Sequence, residues 1–285
     1  MSRCIIITGA NGFIGSELVN RLSSAGWKVK AFVHSQPSVK IPGVEYIGFD
    51  LEKENREPDF NDAELLVHCA YIRYDQNKNA DEINIAGTKR LIAICRKKNI
   101  KPIFISSFSA HPGAQSHYGK NKLVCESLFD LSKDLILRPG LVVGKGGLAA
   151  RIIQQIGRSS RVPLAGADQP IQTIAVEDLC AIIERAANTG DIGLYHVAEP
   201  KAITLRMFYE EIASQMGKKI RFIPIPIGLL YAGCKFFELF GVKLPVSSEN
   251  VLGLKQLIKF DTTGDLRTLN VSVKNYKENI KSALK

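Results

Sequence analysis

The 285-residue chain has no run of the roughly twenty apolar residues that a membrane-spanning helix needs. Its most apolar stretch, 222–234, is 13 residues long and contains Pro224 and Pro226. CxxC pairs and Cys/His clusters are missing as well. The six cysteines, at 4, 69, 95, 125, 180 and 234, are scattered as in a reduced cytoplasmic chain without a structural metal. No cleavable leader is expected, because a strand and its glycine turn begin at Arg3. Charge blocks and basic segments interleaved with aromatics are absent, which excludes a nucleic-acid grip of that kind. The net charge of +10 is spread along the chain and suits small anionic partners, or else a plain solvated surface. What is present, 45% hydrophobic and 23% charged residues, is ordinary globular usage.

The first half alternates β-branched runs with helical periodicity, the pattern of βαβ units and a parallel sheet. Segments 4–8, 28–33, 44–49, 64–69, 102–107 and 135–138 read as six strands, and 13–24, 81–98 and 118–131 as helices between them. The expected fold is α/β, a Rossmann-type doubly wound parallel sheet with a smaller C-terminal substrate-binding lobe. Residues 1–145 form the dinucleotide-binding domain, 173–199 return to it, and 146–172 with 200–285 form the lobe. A helix near 148–156, a loop through Ala167, a strand at 173–176, a helix at 178–187 and a helix from the N-cap Thr204 to Met216 complete the reading.

Thr8-Gly9-Ala10-Asn11-Gly12-Phe13-Ile14-Gly15 sets glycines at GxxGxxG spacing between the first strand and a helix. Such a turn lets backbone approach a pyrophosphate while the helix N-terminus offers unpaired N–H groups. NAD binders carry an acid about 20 residues on, for the ribose hydroxyls. Here no Asp or Glu lies between Glu17 and Glu45, while Arg21, Lys28, Lys30, His34 and Lys40 do. NADP is therefore expected, with NAD possible, and His34 or Lys40 pairs with the 2′-phosphate.

Tyr118 and Lys122 stand four apart at the start of a helix, on one face. An ammonium there favours the phenolate and lowers the tyrosine pKa toward the range of a working acid or base. Ser107, at the carboxyl end of the fifth strand, is placed to donate to the same substrate oxygen.

These residues resemble the short-chain dehydrogenase/reductases, specifically the extended branch of nucleotide-sugar epimerases and dehydratases, the NAD-dependent epimerase/dehydratase family. Gly9, Gly12 and Gly15 match its glycine turn, with Asn11, Phe13 and Ile14 inside it. Asp50-Leu51 matches the acid that contacts adenine, and His68-Cys69-Ala70 the H-x-A segment beside the cofactor. Asn84 with Gly87-Thr88 matches N-x-x-G-T, Arg138-Pro139-Gly140 the R-P-G near the nicotinamide, and 176–179 the V-x-D segment. The resemblance implies Ser107, Tyr118 and Lys122 as the catalytic trio. It implies hydride transfer at a hydroxyl or keto carbon of a nucleotide sugar, with Lys122 also binding ribose hydroxyls. A homodimer is a possible assembly.

The chain departs from that pattern in four places. Phe108-Ser109 follows Ser107 where 4,6-dehydratases carry Asp-Glu, and Tyr118 comes only eleven positions after Ser107. Pro170-Ile171-Gln172 stands where relatives often have an arginine for the substrate diphosphate, a role left to Arg151, Arg158 or Arg161, with Ser109 beside Ser107. Asp261-Thr262-Thr263 and Leu269-Asn270 echo the closing motif without its tryptophan. The alternatives are a reductase of a lipophilic alcohol or ketone, its pocket lined by 220–240, and a non-catalytic NADP-binding subunit. His111, His117 and His196 read as loop or surface residues, Cys125 as helix packing, and Phe236, Phe237 and Phe240 as lobe core or a partner contact.

Overall fold

The computed structural model describes residues 3–53, 58–74, 77–242, 244 and 246–285. In chain order the first elements are β1 (Cys4–Thr8), α1 (Phe13–Ser24), β2 (Lys28–Val33), β3 (Glu45–Gly48), β4 (Ala63–His68), α2 (Ala80–Lys98) and β5 (Lys101–Ile105). Next come α3 (His117–Glu126), β6 (Leu135–Pro139), β7 (Leu141–Val143), α4 (Gly147–Arg158), β8 (Arg161–Ala165), β9 (Pro170–Ile171), β10 (Thr173–Ala175) and α5 (Val176–Thr189). The last are β11 (Gly193–Val197), β12 (Ile203–Thr204), α6 (Leu205–Gln215), β13 (Arg221–Ile225), α7 (Ile227–Leu239), α8 (Ser248–Lys255), α9 (Thr263–Thr268) and α10 (Tyr276–Leu284). They fall into two compact units: Met1–Ser106 with Asn121–Arg138 and Val176–Tyr195, and Ser107–Lys120 with Pro139–Ala175 and His196–Lys285.

The first unit is built on a seven-stranded sheet of order β11-β6-β5-β4-β1-β2-β3. Strand β1 is buried along its whole length, as a central parallel strand covered on both faces must be, which is why it reads Cys-Ile-Ile-Ile-Thr. Its neighbours β2 and β4 both run parallel to it. Helix α1 buries Gly15, Leu18, Val19 and Leu22, one stripe at helical spacing, against this sheet unit. Helix α2 carries Asp81 and Glu82 in its first turn and Arg96, Lys97 and Lys98 in its last, and ends at Asn99 with φ of 55°. Charges and cap all suit the helix dipole and the left-handed end. Because the chain leaves β1 toward β2 and β3 and then crosses back to β4, the strand order reverses at β1/β4. A crevice opens there at the carboxyl ends.

In the second unit, Ile152, Ile156, Val162, Leu164, Phe208, Ile212 and Ile280 form the core. Thr204 caps α6, its hydroxyl accepting from the Met207 N–H at 3.1 Å, and Gly217 closes it with φ of 65°.

Four expectations need correction. The sheet has seven strands rather than six, because β11 joins at the β6 edge. Segment 173–175 does not enter that sheet; it pairs in parallel with β7. The small-residue stretch before Ala167 is not all loop, since β8 pairs in parallel with β13, about sixty positions away. Helix α3 stops at Glu126 rather than running to 131: Leu128 and Phe129 turn back onto Cys125 and Glu126 carbonyls at 3.1 and 3.0 Å. Phe129 then stacks on Phe104 at 4.9 Å.

Candidate active site

In the first unit the crevice at β1/β4 is floored by backbone. Gly9 has φ of +66°, and a Cβ on it would lie 2.7 Å from the Ala70 nitrogen; one on Gly12 would lie 3.0 Å from the Gly9 carbonyl oxygen. A Cβ on Gly15 would run into that same oxygen. The turn closes through the Gly12 N–H on the Gly9 carbonyl at 2.8 Å. The Asn11 amide is spent on the Ser35 carbonyl at 2.5 Å, which ties the turn to the end of β2. A cavity of about 300 Å³ lies here, lined by Gly9, Asn11, Gly12, Val33, His34, Ser35, Cys69, Ala70 and Tyr71. Phe13 and Ile14, half-buried, begin α1 beside it. Bare backbone, a helix N-terminus without a side-chain cap and a cavity at the strand ends suit a dinucleotide pyrophosphate.

Other matched residues hold this cradle in shape. Thr8 and His68 face each other across β1 and β4, hydroxyl to Nδ1 at 2.7 Å, and His68 Nε2 meets the Thr88 hydroxyl at 3.0 Å. Burial, then the charge of Lys122, pushes His68 down to about 3, so the ring stays neutral. The Asn84 amide bonds Ile72 twice, accepting from its N–H at 2.9 Å and donating to its carbonyl at 2.8 Å; it fixes the segment after β4. Gly87 passes under Leu51, where a Cβ would come within 2.7 Å of a methyl. Burial pushes the Cys69 thiol up to about 12, which leaves it no nucleophile at neutral pH.

The basic stretch expected to favour NADP is largely committed elsewhere. Arg21 pairs with Glu184 at 2.5 Å, Lys30 with Asp59 at 2.6 Å and Lys28 with Asp62 at 3.6 Å. His34 lines the cavity, exposed, with Nε2 3.7 Å from Asp50. Asp50 in turn takes the Glu52 N–H at 2.9 Å. Arg138 makes a two-pronged pair with Glu126, 2.8 and 2.5 Å, and the Ser106 hydroxyl donates to the same carboxylate. Glu126, which sequence reasoning passed over, thus anchors Arg138 under the sheet's carboxyl end.

Helix α3 supplies Lys122. It is almost fully buried; its ammonium donates to the Ile105 carbonyl at 2.7 Å and lies 4.5 and 4.9 Å from the Phe104 and Tyr71 ring centres. Burial pushes Lys122 down to about 8, against the opposing pull of Cys125, Cys69 and Glu126.

In the second unit Ser107 and Tyr118 are hydrogen-bonded. Desolvation around the hydroxyl nevertheless pushes the Tyr118 phenol up, although the residue as a whole is 38% exposed, and the Ser107 bond only partly offsets it. The lowering expected from the lysine is overturned, because desolvating a phenolate costs more than one neutral donor returns. The Ser107 oxygen also accepts from the Ser109 N–H at 3.1 Å. Gly119 lets the Ser109 carbonyl and Ala114 pack against the helix where a Cβ would clash, and Gly140 does the same for the Gln172 carbonyl.

The loop from Ser107 is braced by distant residues that sequence reasoning missed. Glu249 accepts the His117 N–H at 2.7 Å, capping α3 together with Ser116, whose hydroxyl accepts from Gly119 at 3.2 Å. Gln256 accepts from the Gln115 N–H and donates to the Gly113 carbonyl at 3.0 Å, while its own carbonyl meets His111 at 3.2 Å. Ser247 opening a capping box was a readable local signal for α8, but nothing in it announced these partners. His196 sits on Asp265 at 3.0 Å and stacks on Phe260 at 4.3 Å, a packing residue. Arg151 and Arg161 are exposed on α4 and β8. Arg158 borders a separate cavity of about 260 Å³ with Lys218 and Lys219.

The two leading glycines are separable by substitution. Gly9→Ala meets backbone at a left-handed residue and should lower the melting temperature as well as dinucleotide affinity. Gly12→Ala, at φ of −73°, should keep the fold and weaken binding about tenfold or more, a loss of only 1.4 kcal/mol. Fluorescence titration with NADPH and NADH checks both; unchanged affinity in folded Gly12→Ala would place the dinucleotide elsewhere.

Residues 5–197 match the model of the NAD dependent epimerase/dehydratase family. A ceramide reductase of Caulobacter vibrioides is 27% identical over 246 residues, covering 80% of this chain and 76% of that protein. The N-acetyl-alpha-D-glucosaminyl-diphospho-ditrans,octacis-undecaprenol 4-epimerase of Escherichia coli O157:H7 is 23% identical over 296 residues, 92% of this chain and 88% of its own. The solved structure of MoeE5 in complex with UDP-glucuronic acid and NAD superposes with a TM-score of 0.76 at 19% identity, covering 98% of this chain and 97% of that one.

Proposed function

Because the chain belongs to the NAD dependent epimerase/dehydratase family, we propose that it moves hydride between a nicotinamide dinucleotide, NADP ahead of NAD, and a hydroxyl or keto carbon of a nucleotide sugar, as an epimerase or 4-keto reductase. The observation that carries this reading is the Ser107 hydroxyl on the Tyr118 phenol, with Lys122 one turn further along α3. The dinucleotide, when bound in the glycine cradle, supplies or accepts the hydride. Tyr118 exchanges the proton at the substrate oxygen and Ser107 polarises that oxygen. Lys122, an ammonium below about pH 8, binds ribose hydroxyls. Because the resting phenol is protonated at neutral pH, donation to a ketone is the ready direction.

A second reading, reduction of a lipophilic ketone, is favoured by Gln172. Where relatives carry a diphosphate-binding arginine, this amide donates to the carbonyls of Glu199, Pro200 and Phe260 at 3.0, 3.2 and 2.9 Å. Its oxygen takes the Phe260 N–H at 2.8 Å, so it offers a diphosphate no charge. A panel of nucleotide sugars and lipophilic ketones, followed by nicotinamide absorbance, separates the two. Absence of both an absorbance change and an epimerised sugar product, the latter read by chromatography, makes the chain a non-catalytic cofactor-binding subunit.

Cofactor choice has its own test. With His34 facing the cavity and no acid on β2, NADPH should bind more tightly than NADH at moderate salt, and His34→Asp should reverse the order by repelling a 2′-phosphate. NADH binding more tightly to the unaltered protein sinks the assignment.

A further inference from the structure

Helix α7 in the second unit is almost wholly apolar, yet of its residues only Cys234 is fully buried. Leu229, Phe236, Phe237, Leu239, Phe240 and Val242 are 68, 56, 45, 83, 69 and 45% exposed. Of the two expectations for the three phenylalanines, lobe core or a partner contact, their exposure overturns the first. Their rings cluster outside, Phe236 lying 5.0 Å from Phe240 and 5.7 Å from Phe237. Scattered exposed apolar residues need no account, but a contiguous aromatic patch does.

Along the sequence the charge flanking α7 is one-sided. Segment 218–260 holds seven Lys or Arg residues against two Glu. Both carboxylates are turned onto the protein's own groups: Glu238 onto the Ser248 N–H and hydroxyl, each at 2.7 Å, and Glu249 onto the His117 N–H at 2.7 Å. Lys235, Lys255 and Lys259 remain exposed, Lys235 with Glu238 4.0 Å from its ammonium. An apolar helix carrying aromatic rings and flanked by cations that outnumber the carboxylates is the chemistry of interfacial attachment to anionic lipid.

We propose that α7 and the turn after it dock on an anionic bilayer surface, with Phe236, Leu239 and Phe240 at the acyl boundary and the lysines against the phosphates. A second copy of the chain is the poorer occupant, because a two-fold contact would set the cationic segment of each copy against its twin. Docking rests on this face and stands whichever substrate the Tyr118 site takes.

The test is flotation with phosphatidylcholine vesicles, with and without about one third phosphatidylglycerol, at low and high salt. The unaltered protein should float with the anionic vesicles at low salt. Binding should fall roughly tenfold with phosphatidylcholine alone, with F236S/F240S, or with K235E/K255E. NADPH affinity and melting temperature should stay as they are in both double variants, which separates failed docking from a failed reading of the site. No flotation at low salt, or flotation untouched by the serine pair, overturns the proposal. So does a dimer that F236S/F240S converts to monomer without any vesicle binding, an outcome that assigns the face to a second copy.

Discussion

Turnover in Tyr118→Phe should fall by roughly 10²–10⁴, the span of a lost general acid, while NADPH affinity and melting temperature hold. The substitution removes one hydroxyl and keeps the ring in place. The hydroxyl lost is the one that Ser107 contacts, and Ser107 retains the Ser109 N–H at 3.1 Å as a partner, so the loop has little reason to move. Steady-state kinetics beside cofactor titration give the answer. Activity surviving in a folded Tyr118→Phe would remove Tyr118 from the chemistry and leave the proton to another group.

Lys122→Met should do the opposite to stability and to function. At neutral pH the fold carries a buried ammonium whose pKa has come down from 10.5 to about 8. The difference corresponds to a penalty of about 3 kcal/mol. Methionine removes that penalty but leaves the Ile105 carbonyl without its donor, at a cost of about 1 kcal/mol or more. A net gain of about 1–2 kcal/mol in denaturant unfolding at pH 7 is expected, together with loss of turnover and weaker NADPH binding. The sign with pH follows from the same shift. Below about pH 8 the lysine is protonated folded and unfolded, so the penalty is present in full. Between there and 10.5 the native state has shed its proton and the unfolded state has not, so wild-type stability climbs toward that of the variant. A variant clearly less stable than wild type at pH 7 would mean that Lys122 is a structural residue first.

The parts of this fold legible in the sequence are those decided locally. Segments 4–8, 13–24 and 28–33 match β1, α1 and β2 end for end, because a doubly buried strand, a glycine turn and a one-sided helix each leave their own pattern. What failed depends on remote partners. Strand β8 contains Pro163 and β13 contains Pro224; each is a strand only through the other. Segment 173–175 carries a strand pattern, but the pattern does not say that β7 will claim it. The site divides the same way. Ser107, Tyr118 and Lys122 are singled out by strand position, spacing and the family resemblance, whereas Glu126, Glu249 and Gln256 are ordinary polar residues until the fold brings their partners. The phenol's upward shift was invisible for a related reason, since burial is not written in a four-residue spacing.

The cap on α3 also sets an order of assembly. Glu249 comes 132 positions after His117, and Gln256 follows Gln115 by 141. At about 5–20 residues per second of synthesis, Tyr118 waits on the order of ten seconds for the carboxylate and amide that will hold its loop. The seven-stranded sheet needs nothing beyond Val197. A nascent chain thus completes its glycine cradle while the loop from Ser107 is still unbraced, and the Tyr118 helix takes its final N-terminal cap only once α8 has been made.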